Sequence, residues 1–131
     1  MDPNTMTLDE CRDWLAGDDG WSWVSRPVQH IDMGNHRNSF TADVRFWSRG
    51  DVKNIQSHPC PPTIDAIAAC MPEGWYWWIN HCAIFGVETY VTKAVQKSAP
   101  LLRAESQAES ELLARARLAV ACRMAAKGEG R

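Results

Sequence analysis

The stretch HPCPPTIDAIAACMPEGWYWW at residues 58–78 decides how the chain is organised. Its adjacent prolines end the element before it, and Thr63 can cap a short helix over residues 64–70. Pro72 and Gly74 then turn the chain into a strand that begins with four aromatic residues, 75–78. The stretch therefore predicts a helix, a tight turn and a strand in close succession.

A similar order of signals opens the chain. Thr7 and Glu10 form a T-x-x-E capping box, and apolar residues recur at helical spacing from Leu8 to Leu15. The sequence G-W-x-W follows this helix, as it follows the helix after Thr63. This repeated order of motifs, which we call the echo, indicates a helix-strand-strand unit that occurs twice in the chain. The alternative is that the two short segments are similar by chance.

If the echo is a true repeat, Trp21 and Trp75 occupy equivalent places. A two-stranded ribbon is marginally stable alone, so pairing two such units would give a sheet of about four strands with one continuous apolar face. We therefore predict an α+β fold with a mainly antiparallel sheet, helices packed on it as in an α-β-α sandwich, and a C-terminal helix. We also predict that residues 1–131 form a single domain, with disordered tails at residues 1–6 and 127–131.

The remaining boundaries follow from alternation and turn residues. Residues 40–47 alternate between apolar and polar side chains, which is typical of a half-buried strand. Gly34 and Asn35 predict a tight turn before it. We place a long loop at residues 48–62 and a hairpin turn at residues 80–82.

The C-terminal helix is predicted over residues 101–126, where leucine and alanine dominate. Its apolar positions spread wider than one narrow stripe, and its alanines permit close packing of helices. We therefore expect a homo-oligomer with this helix at the subunit interface.

Composition limits the function. The net charge of −2 at pH 7 argues against general nucleic-acid binding, which needs a positive field. No apolar run reaches the length of a membrane span, and no signal peptide opens the chain, so we expect a cytoplasmic protein without membrane contact. The odd number of cysteines, five, indicates reduced thiols. No catalytic motif occurs, so we favour a protein that is not an enzyme and has no cofactor.

The aromatic strand carries aromatic side chains on both faces. Trp75 and Trp77 alternate with Tyr76 and Trp78. In a fold of three layers both faces are core. In a fold of two layers Tyr76 and Trp78 leave an exposed patch that serves a partner or an oligomer interface.

The motif order P-P-T-I-D-A-I-A-A-x-M-P-E-G-W-x-W, followed by A-R-A-R-L-A-V-A-C-R-M, resembles the phage ABA-sandwich domain family of small tailed-phage and prophage proteins. The resemblance covers residues 6–126, and residues 26–60 depart from it by their length and their histidine and arginine content. It implies an α-β-α layered domain and a phage accessory protein in the cytoplasm of a bacterial host cell. It carries no assigned activity, so no site residue is implied.

Residues 26–58 combine basic and aromatic side chains and are the candidate ligand site. Trp47 is predicted to lie on the same strand face as Arg45, so that a base could stack on the ring while the guanidinium holds a phosphate. The alternative is that Trp47 packs in the core. The predicted ligand-binding residues are His36, Arg37, Arg45, Trp47, Arg49 and His58.

Three functions are compatible with these features. The first is a phage counter-defence factor that binds and sequesters a small nucleotide-like signal without catalysis. The second is a protein-protein inhibitor that covers a host defence enzyme with its aromatic surface. The third is a small metal-dependent hydrolase or phosphodiesterase that uses His30, Asp32, His36 and His58. We predict no metal, because these residues lack an established ligand spacing and are typical of histidines in solvated loops.

Overall fold

A computed structural model describes residues 2–31, 39–54, 58–98 and 103–128. For residues 25–31, 39–45, 53 and 54 it describes the backbone alone. The chain divides into two compact units, Met1–Leu15 with Cys60–Arg131, and Ala16–Pro59. The predicted single domain stays a prediction.

The described elements are three helices and six strands. The helices are α1 (Leu8–Asp18), α2 (Ile64–Ala69) and α3 (Glu111–Ala126). The strands are β1 (Ser22–Ile31), β2 (Ser39–Arg49), β3 (Val52–Asn54), β4 (Trp75–Ile84), β5 (Val87–Gln96) and β6 (Arg103–Ala108). They form two antiparallel sheets, β1-β2-β3 and β4-β5-β6. The α+β class is confirmed, and the strands are divided over two sheets of three instead of one sheet of about four.

The predicted order of elements occurs twice. Trp21 directly precedes β1, and Trp75 is the first residue of β4. Each therefore lies where the chain passes from a short helix into the first strand of a sheet. The capping predictions are also confirmed, since Thr7 Oγ1 accepts from the Glu10 N–H at 3.2 Å and Thr63 Oγ1 accepts from the Ala66 N–H at 3.1 Å.

Helix α3 is the centre of the larger unit. One side of it packs on the sheet, where Leu118 and Cys122 meet the small side chains of Ala94 and Ala104. The other side packs on α1 and α2, where Val120 belongs to the same buried cluster as their apolar side chains. The layers are therefore the sheet, then α3, then α1 and α2. The helices of this unit lie on one side of the sheet, not on both sides as in the predicted sandwich.

The enclosure of α3 bears on the prediction that this helix forms a subunit interface, which itself stays a prediction. Leu113 and Leu118 are buried within the single chain, and Leu112 is half-buried against the core. A helix that is apolar on most of its surface is expected to be buried. The breadth of its apolar surface is thus explained without a second subunit.

The predicted helix over residues 101–126 begins later, because residues 103–108 form β6. Ala104, Ser106 and Ala108 are buried under α3 while the residues between them are exposed, a period of two that the pairing with β5 imposes. Ser110 caps α3 by accepting from the Leu113 N–H at 3.2 Å. Pairing within the sheet has overridden the helix preference of these residues.

Three other boundaries differ from the predictions. The hairpin turn lies at Phe85 and Gly86, not at residues 80–82. Part of the predicted loop forms β3. Pro3–Thr5 forms a short 3-10 helix and Met6 is buried, where a disordered tail was expected. The predicted turn at Gly34 and Asn35 lies outside the described residues.

Among the described residues, no helix combines the length and the apolar composition that crossing a membrane requires.

The contribution of the core can be tested with two isoleucines. Ile67 in α2 is 0 % exposed, whereas Ile84 at the end of β4 is 59 % exposed. For the single, unassociated chain, we expect Ile67→Ala to lower the free energy of unfolding by about 2–5 kcal/mol, and Ile84→Ala to change it by less than about 0.5 kcal/mol. Urea unfolding followed by circular dichroism measures both. Equal losses for the two variants would contradict this packing.

Candidate functional site

Trp47, the centre of the predicted ligand site, is 7 % exposed. It lies on the middle strand β2, opposite Trp23 of β1 and Asn54 of β3. Its ring lies 4.9 Å from the Trp23 ring and 4.8 Å from the His58 ring, measured between centroids. The prediction that Trp47 is an exposed wall for a base is therefore wrong, and the alternative of a packed tryptophan is correct.

The structure brings only part of the predicted set together. His58 packs on Trp47, and the Arg49 guanidinium lies 4.8 Å above the Trp21 ring. His36 and Arg37 lie outside the described residues, as does the side chain of Arg45. Ligand binding by the residues other than Trp47 stays a prediction.

The described part of the chain also shows where possible metal ligands and nucleophilic thiols lie. There, no three His, Cys, Asp or Glu residues are grouped so that they could hold a metal ion. Of the residues predicted for a metal-dependent hydrolase, Asp32, His36 and the side chain of His30 lie outside the described residues. Burial raises the pKa of Cys11 to about 11 and that of Cys122 to about 12. These thiols stay protonated at neutral pH and are poor nucleophiles.

The thiols should differ sharply in reactivity. Cys82 is exposed, while Cys11, Cys60, Cys70 and Cys122 are buried. At pH 8 in native buffer we expect a thiol reagent such as DTNB to modify one thiol rapidly, and Cys82→Ser to remove that fast phase. The other thiols react only after the chain is unfolded, because burial blocks access to all four and also suppresses the thiolate at Cys11 and Cys122. Any thiol that reacts rapidly in Cys82→Ser would contradict the packing.

The sheet β4-β5-β6 leaves one aromatic face exposed. Its helix side holds the buried Trp75 and Ala94, whereas Tyr76 is 62 % exposed and Trp78 is 44 % exposed. An exposed aromatic patch was predicted for a sheet without a second covering layer, and it occurs here because the helices lie on one face of the sheet only. We call this surface the open face.

Charged side chains from the other two strands lie beside Trp78 on the open face. The strand register aligns Trp78 with Lys93 and Lys93 with Glu105, and it aligns Val95 with Arg103. These five residues line one open concavity of about 400 Å³, together with Ala94 and Ala104. Three sequence-distant segments thus contribute a flat ring, two cations and one carboxylate.

The cations of the open face are available to a ligand. Among the residues that the structure describes, no ion pair involves Lys93 or Arg103. Because the Glu105 carboxylate offsets one of the two cations, Lys93 and Arg103, the concavity carries one net positive charge. A third cation lies close by, since the Lys97 ammonium is 4.6 Å from the centroid of the Tyr76 ring. The surface can therefore attract an anion that also offers a flat group for stacking.

A second exposed feature is the tip of the β4–β5 hairpin. Phe85 is 100 % exposed, and Ile84 and Val87 beside it are also exposed. Phe85 has a positive φ of 52° and Gly86 one of 77°, as in a type I′ turn. Asparagine is usual at the first of these positions, and a phenylalanine held there costs about 1–2 kcal/mol. Residues held in such conformations are concentrated at functional sites.

Sequence reasoning missed the open face because its members meet only through strand pairing. Arg103 was assigned to a helix, and Lys93 has no aromatic neighbour on the open face until β5 pairs with β4. The usable signal was the alternation of Tyr76 and Trp78, which predicted an aromatic patch but not its charged partners.

A comparison of the chain with protein families, with curated proteins and with solved structures finds no match. The resemblance to the phage ABA-sandwich domain family stays a prediction.

Proposed function

We propose that the protein binds a small, nucleotide-like anion on its open face and does not transform it. One observation carries the proposal: Trp78, Lys93 and Arg103 line a single concavity of about 400 Å³. That volume lies within the range of about 300–1,000 Å³ that is usual for small-molecule sites. A base needs a flat aromatic wall and a phosphate needs cationic donors, and this surface offers both.

Each side chain has a distinct role in this proposal. The ligand's ring stacks on the exposed indole of Trp78. Arg103 holds a phosphate with two parallel N–H donors, and Lys93 adds a point charge. Glu105 accepts a hydrogen bond from a ribose hydroxyl or an amino group, and it disfavours ligands that place a second phosphate near it. The site thus selects a ring and a phosphate at opposite ends of one concavity.

The biological role in this proposal follows from the sequence resemblance. A phage counter-defence factor that sequesters a nucleotide signal in the host cytoplasm needs only a binding surface, because removing the free signal is sufficient. The open face meets that need without a catalytic group.

A second candidate function is inhibition of a host defence enzyme by direct contact. The observation that favours it is the apolar hairpin tip, where Ile84, Phe85 and Val87 are exposed on a protruding turn. Such a tip would insert into an apolar pocket of the target, as aromatic anchors do in protein interfaces.

A ligand screen with matched variants tests the primary proposal. A thermal-shift screen with ADP-ribose, cyclic ADP-ribose isomers and cyclic dinucleotides identifies the ligand, and calorimetry gives its Kd. We expect Trp78→Ala to weaken binding by about tenfold or more, since a stacked base contributes about 1–3 kcal/mol. The control Trp23→Ala removes another exposed tryptophan, on β1, and is expected to leave Kd unchanged.

Arginine variants locate the phosphate. Arg103→Ala is expected to weaken binding, more at low salt than at high salt, because ions screen the lost contact. Arg49→Ala is the matched control, and a loss in that variant alone would place the site at the residues first predicted from the sequence. Chromatography after incubation should return the ligand intact. Product formation, or a Trp78→Ala protein that folds and binds unchanged, would contradict the proposal.

A further inference from the structure

The two edge strands of the sheet β4-β5-β6 differ in how their outward backbone groups are satisfied. Along β6, the Asn4 side chain accepts from the Gln107 N–H at 3.2 Å. Arg117 donates to the Gln107 carbonyl at 2.8 Å. The outer backbone groups of Gln107 are therefore satisfied, and β6 also carries the charged Arg103 and Glu105. Both devices protect an edge against pairing with another strand.

At the opposite edge, β4, the described residues provide no such cover. The Lys97 N–H donates to the Gly74 carbonyl at 2.8 Å, so Gly74 and Lys97 are a hydrogen-bonded pair. The register then makes Tyr76 with Val95 and Trp78 with Lys93 the next hydrogen-bonded pairs. Because hydrogen-bonded pairs alternate, the N–H and C=O groups of Trp77, Ile79 and His81 point away from β5. Within the described parts of the chain, no group pairs with them.

The composition of β4 gives no protection either. Its ten residues, WYWWINHCAI, include no Lys, Arg, Asp, Glu, Pro or Gly. A long, apolar edge strand without these residues is a template for another strand. Natural sheets usually cover such an edge.

We infer that a second copy of the chain covers it: two β4 strands pair antiparallel across a two-fold axis, so that the dimer contains one continuous six-stranded sheet. This inference goes beyond the proposed ligand binding and does not depend on it. A strand without charged residues can pair with itself without like-charge repulsion. The isologous arrangement is also the commonest for soluble dimers.

The hairpin tip favours a second copy over an unrelated extended peptide. In an antiparallel pairing, the end of one β4 lies beside the start of the other, so the tip with Phe85 approaches the partner strand near its Trp75. One interface then covers both the free edge and the exposed apolar tip. A peptide added to the edge would leave the tip in water.

The pairing also has a consequence for the open face. A two-fold axis perpendicular to the sheet keeps equivalent faces on the same side. The Tyr76 and Trp78 side chains of both copies therefore lie on one shared aromatic surface, and α3 of each copy lies on the other side.

A proline substitution in the edge strand β4 tests the pairing. Ile79→Pro removes an outward N–H and no donor of the ladder to β5, so it blocks the dimer and leaves the hydrogen bonds to β5 in place. Light scattering of the wild type should give twice the chain mass of 14.7 kDa. We expect Ile79→Pro to raise the dimer dissociation constant by about tenfold or more, because ladder bonds and strand approach are both lost. The control Ile79→Ala keeps the N–H and should remain dimeric.

Hydrogen exchange on the wild type gives a second readout that needs no variant. At high concentration the amides of Trp77, Ile79 and His81 should be protected, and dilution should release them, while those of Tyr76 and Trp78 stay protected by β5. A monomer at all concentrations overturns the inference. So does exchange of the outward amides that is fast and independent of concentration.

Discussion

The packing of α3 on one face of the sheet β4-β5-β6 is the contact on which the rest of the larger unit depends. The contact is close because the sheet presents small side chains to the helix, including Ala94, Ala104 and Ser106. Helices α1 and α2 use the opposite side of α3 instead of the other face of the sheet. The aromatic strand therefore buries Trp75 and leaves Trp78 in solvent.

This one-sided packing links the fold to its two proposed contacts. In the two proposals, the exposed face offers a ring and cations to a ligand, and β4, whose outer edge pairs with none of the described residues, offers a strand to a second copy. On the other edge, Asn4 and Arg117 bind the outer backbone groups of Gln107, so the asymmetry comes from particular side chains and is not a general property of a three-stranded sheet. The hairpin tip extends beyond β6 and holds Phe85 at a positive φ of 52°.

Features set by local chemistry could be predicted from the sequence, and features set by pairing could not. The cap at Thr63 and the turn at Gly74, with its φ of 86°, depend on neighbouring residues alone, and both were predicted correctly. Residues 103–108 have side chains that suit a helix, but pairing with β5 makes them a strand. Trp47 lost its predicted role because its burial depends on Trp23 and His58, which reach it only in the folded unit.

The central claim is that the open face, and not the region around Trp47, holds the ligand. An NMR titration of the ¹⁵N-labelled protein with ADP-ribose and with cyclic dinucleotides tests it most directly. The account predicts that a saturating ligand shifts the amide signals of Lys93, Val95, Arg103 and Glu105 and the indole signal of Trp78. Shifts confined to residues 45–49 and His58, with the open face unchanged, would contradict it.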